Sequence, residues 1–162
     1  MHKIVLYMLL LVFFMTMFAL QIDEEVSMNT LFRLKHGLNR AAHAAAQQLD
    51  EQKLAQGIMS IDSQAAEEEA YYYLQSNLQL DIDNIPLQGS FLESPVDVLV
   101  FEIINENRIF PYHYVNDDYD YEVTLQRPGV IMVIRVEYPR IYHVIGPITW
   151  VIKGTAELYP VI

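Results

Sequence analysis

Lys3 is followed by seventeen residues without a charge, Ile4 to Leu20, then by Gln21 and Ile22, and then by the acids Asp23, Glu24 and Glu25. A helix from Ile4 to Ile22, at about 1.5 Å per residue, reaches roughly 28 Å, close to the thickness of a bilayer's hydrocarbon core. A secretory signal has a shorter apolar core, about 7–15 residues, and a small-x-small cleavage site. Here the best nominal site follows Ala19, and Met17 then sits where a small residue belongs. The run therefore predicts an uncleaved membrane anchor over residues 1–22, with one domain over 23–162. A cleaved signal and a buried helix of a soluble fold are the other two readings. Tyr7, Phe13, Phe14 and Phe18 suit a lipid environment.

Orientation draws on two opposed signals. Arg33, Lys35 and Arg40 follow the three acids, and a Lys/Arg count over both flanks places the C-terminal part in the cytoplasm. A two-residue tail and one lysine before an apolar core is the usual form of an export signal. The second signal is preferred, which places the protein in the cell membrane as a single-pass chain, N-terminus cytoplasmic and C-terminal domain outside.

Of the ten basic residues only Lys3 lies within 1–22, so residues 23–162 carry nine basic against 21 acidic residues, a formal −12. Such a surface repels phosphate, which argues against nucleic acid and against an anionic membrane surface as partners. The chain has no cysteine, which removes disulfides, thiolate metal sites and cysteine nucleophiles. The 140 residues after the apolar run suffice for one domain with its own core.

The helix is expected to continue beyond the anchor. From Ile22 to Ile58 there is no proline, and Leu31, Leu34, Leu38, Ala42, Ala45 and Leu49 follow one another at spacings of 3, 4, 4, 3 and 4. This predicts one long helix over about 4–56, stopped by Gly57. The stretch Ala41-Ala42-His43-Ala44-Ala45-Ala46 leaves that helix nearly bare. Ala41, Ala42, Ala44 and Ala45 are the candidate helix-packing or partner surface, because small side chains let backbones approach. Ala42 and Ala45 lie on the leucine stripe and are expected to pack internally; Ala44, roughly opposite Ala42, is the better candidate for a partner.

A second helix is predicted over 63–79, capped by Ser60 or Asp62, with Glu67, Glu68 and Glu69 near its positive end. In Tyr71-Tyr72-Tyr73 one or two rings are expected to pack and the rest to lie over the surface; a carbohydrate-stacking or assembly patch is the sharper alternative. Pro86, Gly89 and Pro95 mark a connector. Strands are then predicted at Val96–Ile104, Arg108–Val115, Tyr119–Gln126, Val130–Tyr138 and Trp150–Tyr159, with turns at Asn105-Glu106-Asn107 and Arg127-Pro128-Gly129. The fold class is α+β: a long N-terminal helix continuing from the anchor, a second helix, and a C-terminal antiparallel sheet of four to five strands.

Chemistry-bearing motifs are sparse. Asn116, Asp118, Asp120 and Glu122 alternate, and oxygen ligands suit calcium, but the segment lacks the glycine and distal glutamate of an EF-hand and reads as a solvated loop. His36 and His43 are seven apart on one helical face, whereas zinc sites on one helix use a spacing of four. His113 and His143 stand in apolar strand contexts and read as core or edge histidines. No serine sits in a Gly-x-Ser-x-Gly context and no glycine-rich loop is present to cradle phosphate. Neither an enzyme nor a cofactor is expected.

The order of parts bears a resemblance to the TadE/TadG-like pilus-assembly proteins. It rests on a short charged tail, one apolar helix, Arg40-Ala-Ala-His-Ala-Ala-Ala46, then Gly57, Asp62, Ala65, Ala66, Ala70 and Leu74-x-x-x-Leu78, and a closing Ile152-Lys-Gly-Thr-Ala156. It covers the whole chain and is carried by small residues. The resemblance implies a pilin-like fold and a membrane-anchored assembly component of a Tad-type pilus or related secretion machine, with the bilayer and other membrane proteins of that machine as partners. One departure stands out. His2-Lys3 leads straight into Ile4, without the glycine before the apolar run or the glutamate five residues into the mature chain that accompany prepilin processing. A minor, membrane-retained pseudopilin-like role is what the resemblance then implies. A membrane-anchored binding module for a small ligand or cell-wall component, using the tyrosines and the acidic segment, is the alternative.

Overall fold

The computed structural model describes residues 2–138 and 146–159. The long helix is α1, His2–Ala46; α2 is one turn, Glu51–Leu54; α3 is Ser63–Leu78. Five strands follow: β1 (Val96–Ile104), β2 (Tyr112–Asn116), β3 (Tyr121–Leu125), β4 (Gly129–Tyr138) and β5 (Ile148–Glu157). The class is α+β, as the sequence leads one to expect, with a long N-terminal helix, further helices and antiparallel strands. The expected histidine context at His143 lies outside the described residues.

The end of α1 corrects the expectation of a helix to residue 56. Asp50 caps a new helix instead, its side chain accepting from the Lys53 backbone N–H. The residues before it turn into an antiparallel bridge between Leu49 and Ile61, where Asp50 N–H donates to Ser60 O at 2.9 Å and Asp62 N–H to Gln48 O at 2.8 Å. Gly57 does act as a stop, but for α2. With φ +79° it sits at the left-handed position of a Schellman motif, with Gly57 N–H on Leu54 O and Ile58 N–H on Lys53 O. Asp62, of the two proposed residues, caps α3 by accepting from Gln64 and Ala65 N–H.

The expected single sheet of four to five strands is also corrected. β1, β4 and β5 form a three-stranded antiparallel sheet in the order β1-β4-β5, and β2 and β3 form a separate two-stranded sheet. β1 does not turn back onto β2; its ladder partner is β4, from Val96 opposite Val136 to Ile104 opposite Gly129. Arg108–Phe110, expected to open β2, lie outside it: Arg108 N–H closes a turn on Asn105 O, and Pro111 has no N–H to offer a ladder.

The physical reason for the split lies in β4. Val130 to Ile134 are buried without exception, so both faces of this strand need a cover. Val130, Met132, Ile134 and Val136 join the large core with α1 and α3, while Ile131 joins Ile104, Tyr114 and Leu125 under the β2–β3 hairpin. The domain is thus three layers: helices, sheet, hairpin. Asn105 ties the first two together. Its side chain accepts from Ile61 N–H at 2.8 Å and donates to Ile61 O at 2.9 Å, as a strand residue would. Asn105→Ala strips two half-buried backbone groups of their partner, and a loss of about 1–3 kcal/mol is expected. Urea melts of the wild type and the variant measure it, and an unchanged midpoint would refute the role.

Candidate functional site: the anchor helix and the packing surface behind it

α1 is continuous through the junction between the apolar run and the domain. Within the most apolar window of this helix nothing is buried inside the protein. Tyr7, Leu11, Phe14 and Phe18 each expose about the same 61–68% of their surface. A soluble core helix would bury such residues, so the buried-helix reading fails. This one N-terminal helix is long and apolar enough to span a membrane.

Burial begins abruptly at Asp23. From there one face carries Asp23, Ser27, Thr30, Leu34, Gly37, Leu38, Ala41, Ala42, Ala45 and Ala46, all buried. The spacing is that of a single helical face. The leucine stripe proposed from sequence is therefore right in its centre, while Leu31 and Leu49 are only partly buried. What the sequence reading missed is the polar start of the stripe at Asp23, Ser27 and Thr30, which hydropathy alone does not reveal.

The alanine segment is divided. Ala41, Ala42, Ala45 and Ala46 have no exposed surface and belong to the same core as Ala66, Ala70, Leu74 and Leu78 of α3. Ala44 is partly buried. The candidate surface is thus mostly occupied by the protein's own domain. Two glycines show how close the layers come. A Cβ on Gly37 would lie 2.6 Å from Leu78 Cδ2, and one on Gly154 would lie 3.0 Å from Leu38 Cγ. Arg40 Nη1 donates to Asn77 Oδ1 at 2.9 Å across the α1–α3 seam.

The remaining exposed face of α1 is partly apolar beyond the apolar run: Val26, Met28 and Phe32 are all exposed. Beside it lies a cleft of about 320 Å³ lined by Val26, Asn29, Thr30, Arg33, Phe91, Glu93 and Tyr138. The Arg33 guanidinium stacks on the Phe91 ring, 3.8 Å from its centre. Lys35 donates to the carbonyl of Lys153, and burial pushes its ammonium below the ordinary lysine range. Compared with family models, with curated proteins and with solved structures, the chain finds no match.

The other singled-out residues are dispersed. Tyr71 packs on Phe101, ring centres 6.2 Å apart, while Tyr72 and Tyr73 form an exposed edge-to-face pair. In the acidic segment, Asp117–Tyr119 is a turn of 3-10 helix, and Asp120 takes a left-handed φ of 46° to enter β3. Glu122 pairs with His113 at 3.1 Å, and Asn116 donates to the Tyr114 hydroxyl. The Asp120 carbonyl receives the Lys153 ammonium at 2.6 Å. Of the alternating side-chain oxygens only the Glu122 carboxylate has a partner among the described residues, and Asn116 Oδ1 is buried without one. His36 and His43 are exposed on α1.

At the end of the domain that holds the β1–β2 turn is a second cleft, of about 360 Å³, with Arg108 and Arg127 among its lining residues. No sequence signal joins these two. The hairpin does so, because Tyr112 opposite Leu125 sets residues 108–110 beside 126–128. Glu106 also lines it, held by Lys53 at 2.6 Å. The Lys53 ammonium, with the Ser60 hydroxyl, keeps the Glu106 carboxyl below the usual carboxylate range.

Proposed function

We propose that this chain is a membrane-anchored assembly component of a Tad-type pilus or related secretion machine, minor and pseudopilin-like, with a cytoplasmic N-terminus and residues 23–162 outside. The observation that carries the reading is the continuity of α1. One rigid element supplies five turns of lipid-compatible surface and then the core helix of an antiparallel α+β domain. That division of labour suits a subunit whose position in the membrane and whose docking outside must be coupled. The resemblance carried by Arg40-Ala-Ala-His-Ala-Ala-Ala46 and Ile152-Lys-Gly-Thr-Ala156 supports the same reading. The domain's −12 charge suits a solvated extracytoplasmic face rather than one laid against anionic lipid.

With four alanines used internally, partner contact falls to what α1 leaves uncovered: Met28, Phe32 and the remaining surface of Ala44. Protease added to wall-free cells is expected to digest the C-terminal part, and membrane co-purification is expected to recover a secretion ATPase and a polytopic platform. Ala44→Leu and Phe32→Ser are expected to leave the domain's melting temperature nearly unchanged and to reduce that recovery. Complete protection from protease reverses the orientation. Unchanged recovery with both variants removes the assembly role of this face.

A further inference from the structure

We propose that the cleft beside the β1–β2 turn is a binding site for a carboxylate carried on an apolar body. Its inner lining is apolar, with Met59, Phe110 and buried Pro128. Two guanidinium groups complete it. Arg108 lies over the Tyr112 ring at 5.3 Å and Arg127 over the Tyr159 ring at 4.5 Å. A guanidinium within cation–π reach of a ring still has N–H donors to offer a carboxylate. Among the described residues neither group has an ion pair or a hydrogen-bond acceptor.

Unpaired arginines are unexpected in a domain with 21 acids against nine bases. The carboxylates around the cleft already have partners. Glu106 is held by Lys53, and Glu157, beside the cleft, accepts from Gln126 N–H at 2.6 Å. Arg108 and Arg127 are thus the lining cations left without a carboxylate partner among the described residues. A planar monoanion matches two forks above an apolar lining. A dianionic phosphate fits less well, since it would meet the acidic field of the whole domain at twice the cost. The volume of about 360 Å³ stands at the small end of ligand pockets, room for a small organic acid or one terminal residue of a polypeptide.

The test uses the full chain in nanodiscs of neutral lipid, titrated calorimetrically at low salt. Benzoate and its neutral counterpart benzamide are the first pair of probes. An acetylated Ala-Ala-Phe tripeptide with a free C-terminal carboxylate, and its amide, are the second. Saturable binding of benzoate or of the free-acid peptide, with its neutral partner silent, is the expected result. Tighter binding of benzoate points to a free small acid, and tighter binding of the peptide to a polypeptide terminus. Arg108→Gln with Arg127→Gln is expected to weaken binding by about tenfold or more, as loss of charge-assisted pairs should. Because Arg127 could also support Tyr159, Arg108→Gln alone, at an exposed residue, must weaken binding several-fold with an unchanged melting temperature. The site is refuted if neither acid saturates at millimolar concentration, if the neutral probes bind equally, or if Arg108→Gln binds like the wild type.

Discussion

Leu11→Arg combined with Phe14→Arg is expected to release the protein from membranes while leaving its domain folded. Both side chains sit near the middle of the apolar run and are 61% exposed, so neither touches the core. Arginine keeps the helix propensity of the segment but costs about 3 kcal/mol at the centre of a spanning helix, so two such changes cost about 6 kcal/mol. That exceeds a ten-thousandfold change in partition. Alkaline extraction of membranes measures the first half of the claim, and thermal melts by circular dichroism measure the second. Retention of the double variant in the extracted pellet would show that something other than this helix holds the protein there. A fall in the domain's melting temperature would show that residues 4–22 pack against it after all.

The second large effect concerns the contact between α1 and β5. Leu38→Ala removes a side chain with no exposed surface, and a loss of about 2–5 kcal/mol is expected. Set against a typical stability of about 5–15 kcal/mol, that is a large share. Gly154→Ala alone is expected to destabilise as well, since its new methyl would stand 3.0 Å from Leu38 Cγ and 3.2 Å from Cδ2. The two changes are complementary in volume. The double variant should therefore cost less than the sum of the singles by about 0.5–3 kcal/mol. Strict additivity in urea melts would mean that the two positions do not share this contact.

Much of this architecture was legible in the chain. The helix over 63–79 and the strands at Val96–Ile104 and Val130–Tyr138 stand within a residue or so of where caps and alternation put them. These are segments in which local pattern and burial agree. The misreadings have local causes. The unbroken run without proline reads as helix through Asp50, although an aspartate before Glu51-Gln52-Lys53 is itself a capping signal. The pairing of β1 with β4 is a long-range choice that no neighbouring residue encodes. It follows only from asking how β4, apolar on both faces, is to be covered. The cleft with Arg108 and Arg127 depends on that topology and so could not be read beforehand. The division of the alanine segment was half legible: the stripe through Ala42 and Ala45 marks the inner face, but Ala41 and Ala46 join it because α3 and the sheet wrap further around the helix than a leucine count suggests.

The unbroken path of α1 has a mechanical meaning. Between the apolar run and the core there is no linker to absorb rotation, so the two move as one lever. Residues 23–46 extend about 36 Å beyond the apolar run at 1.5 Å per residue. A tilt of about 20°, ordinary for a single helix in a membrane, would then swing the far end of that helix sideways by roughly 12 Å. With the run set in a bilayer, the thickness of that bilayer would become an input to where the domain's surface points. A pull on the domain would reach the anchor along the helix axis, and the seam of Gly37, Leu38 and Gly154 would bear it in shear.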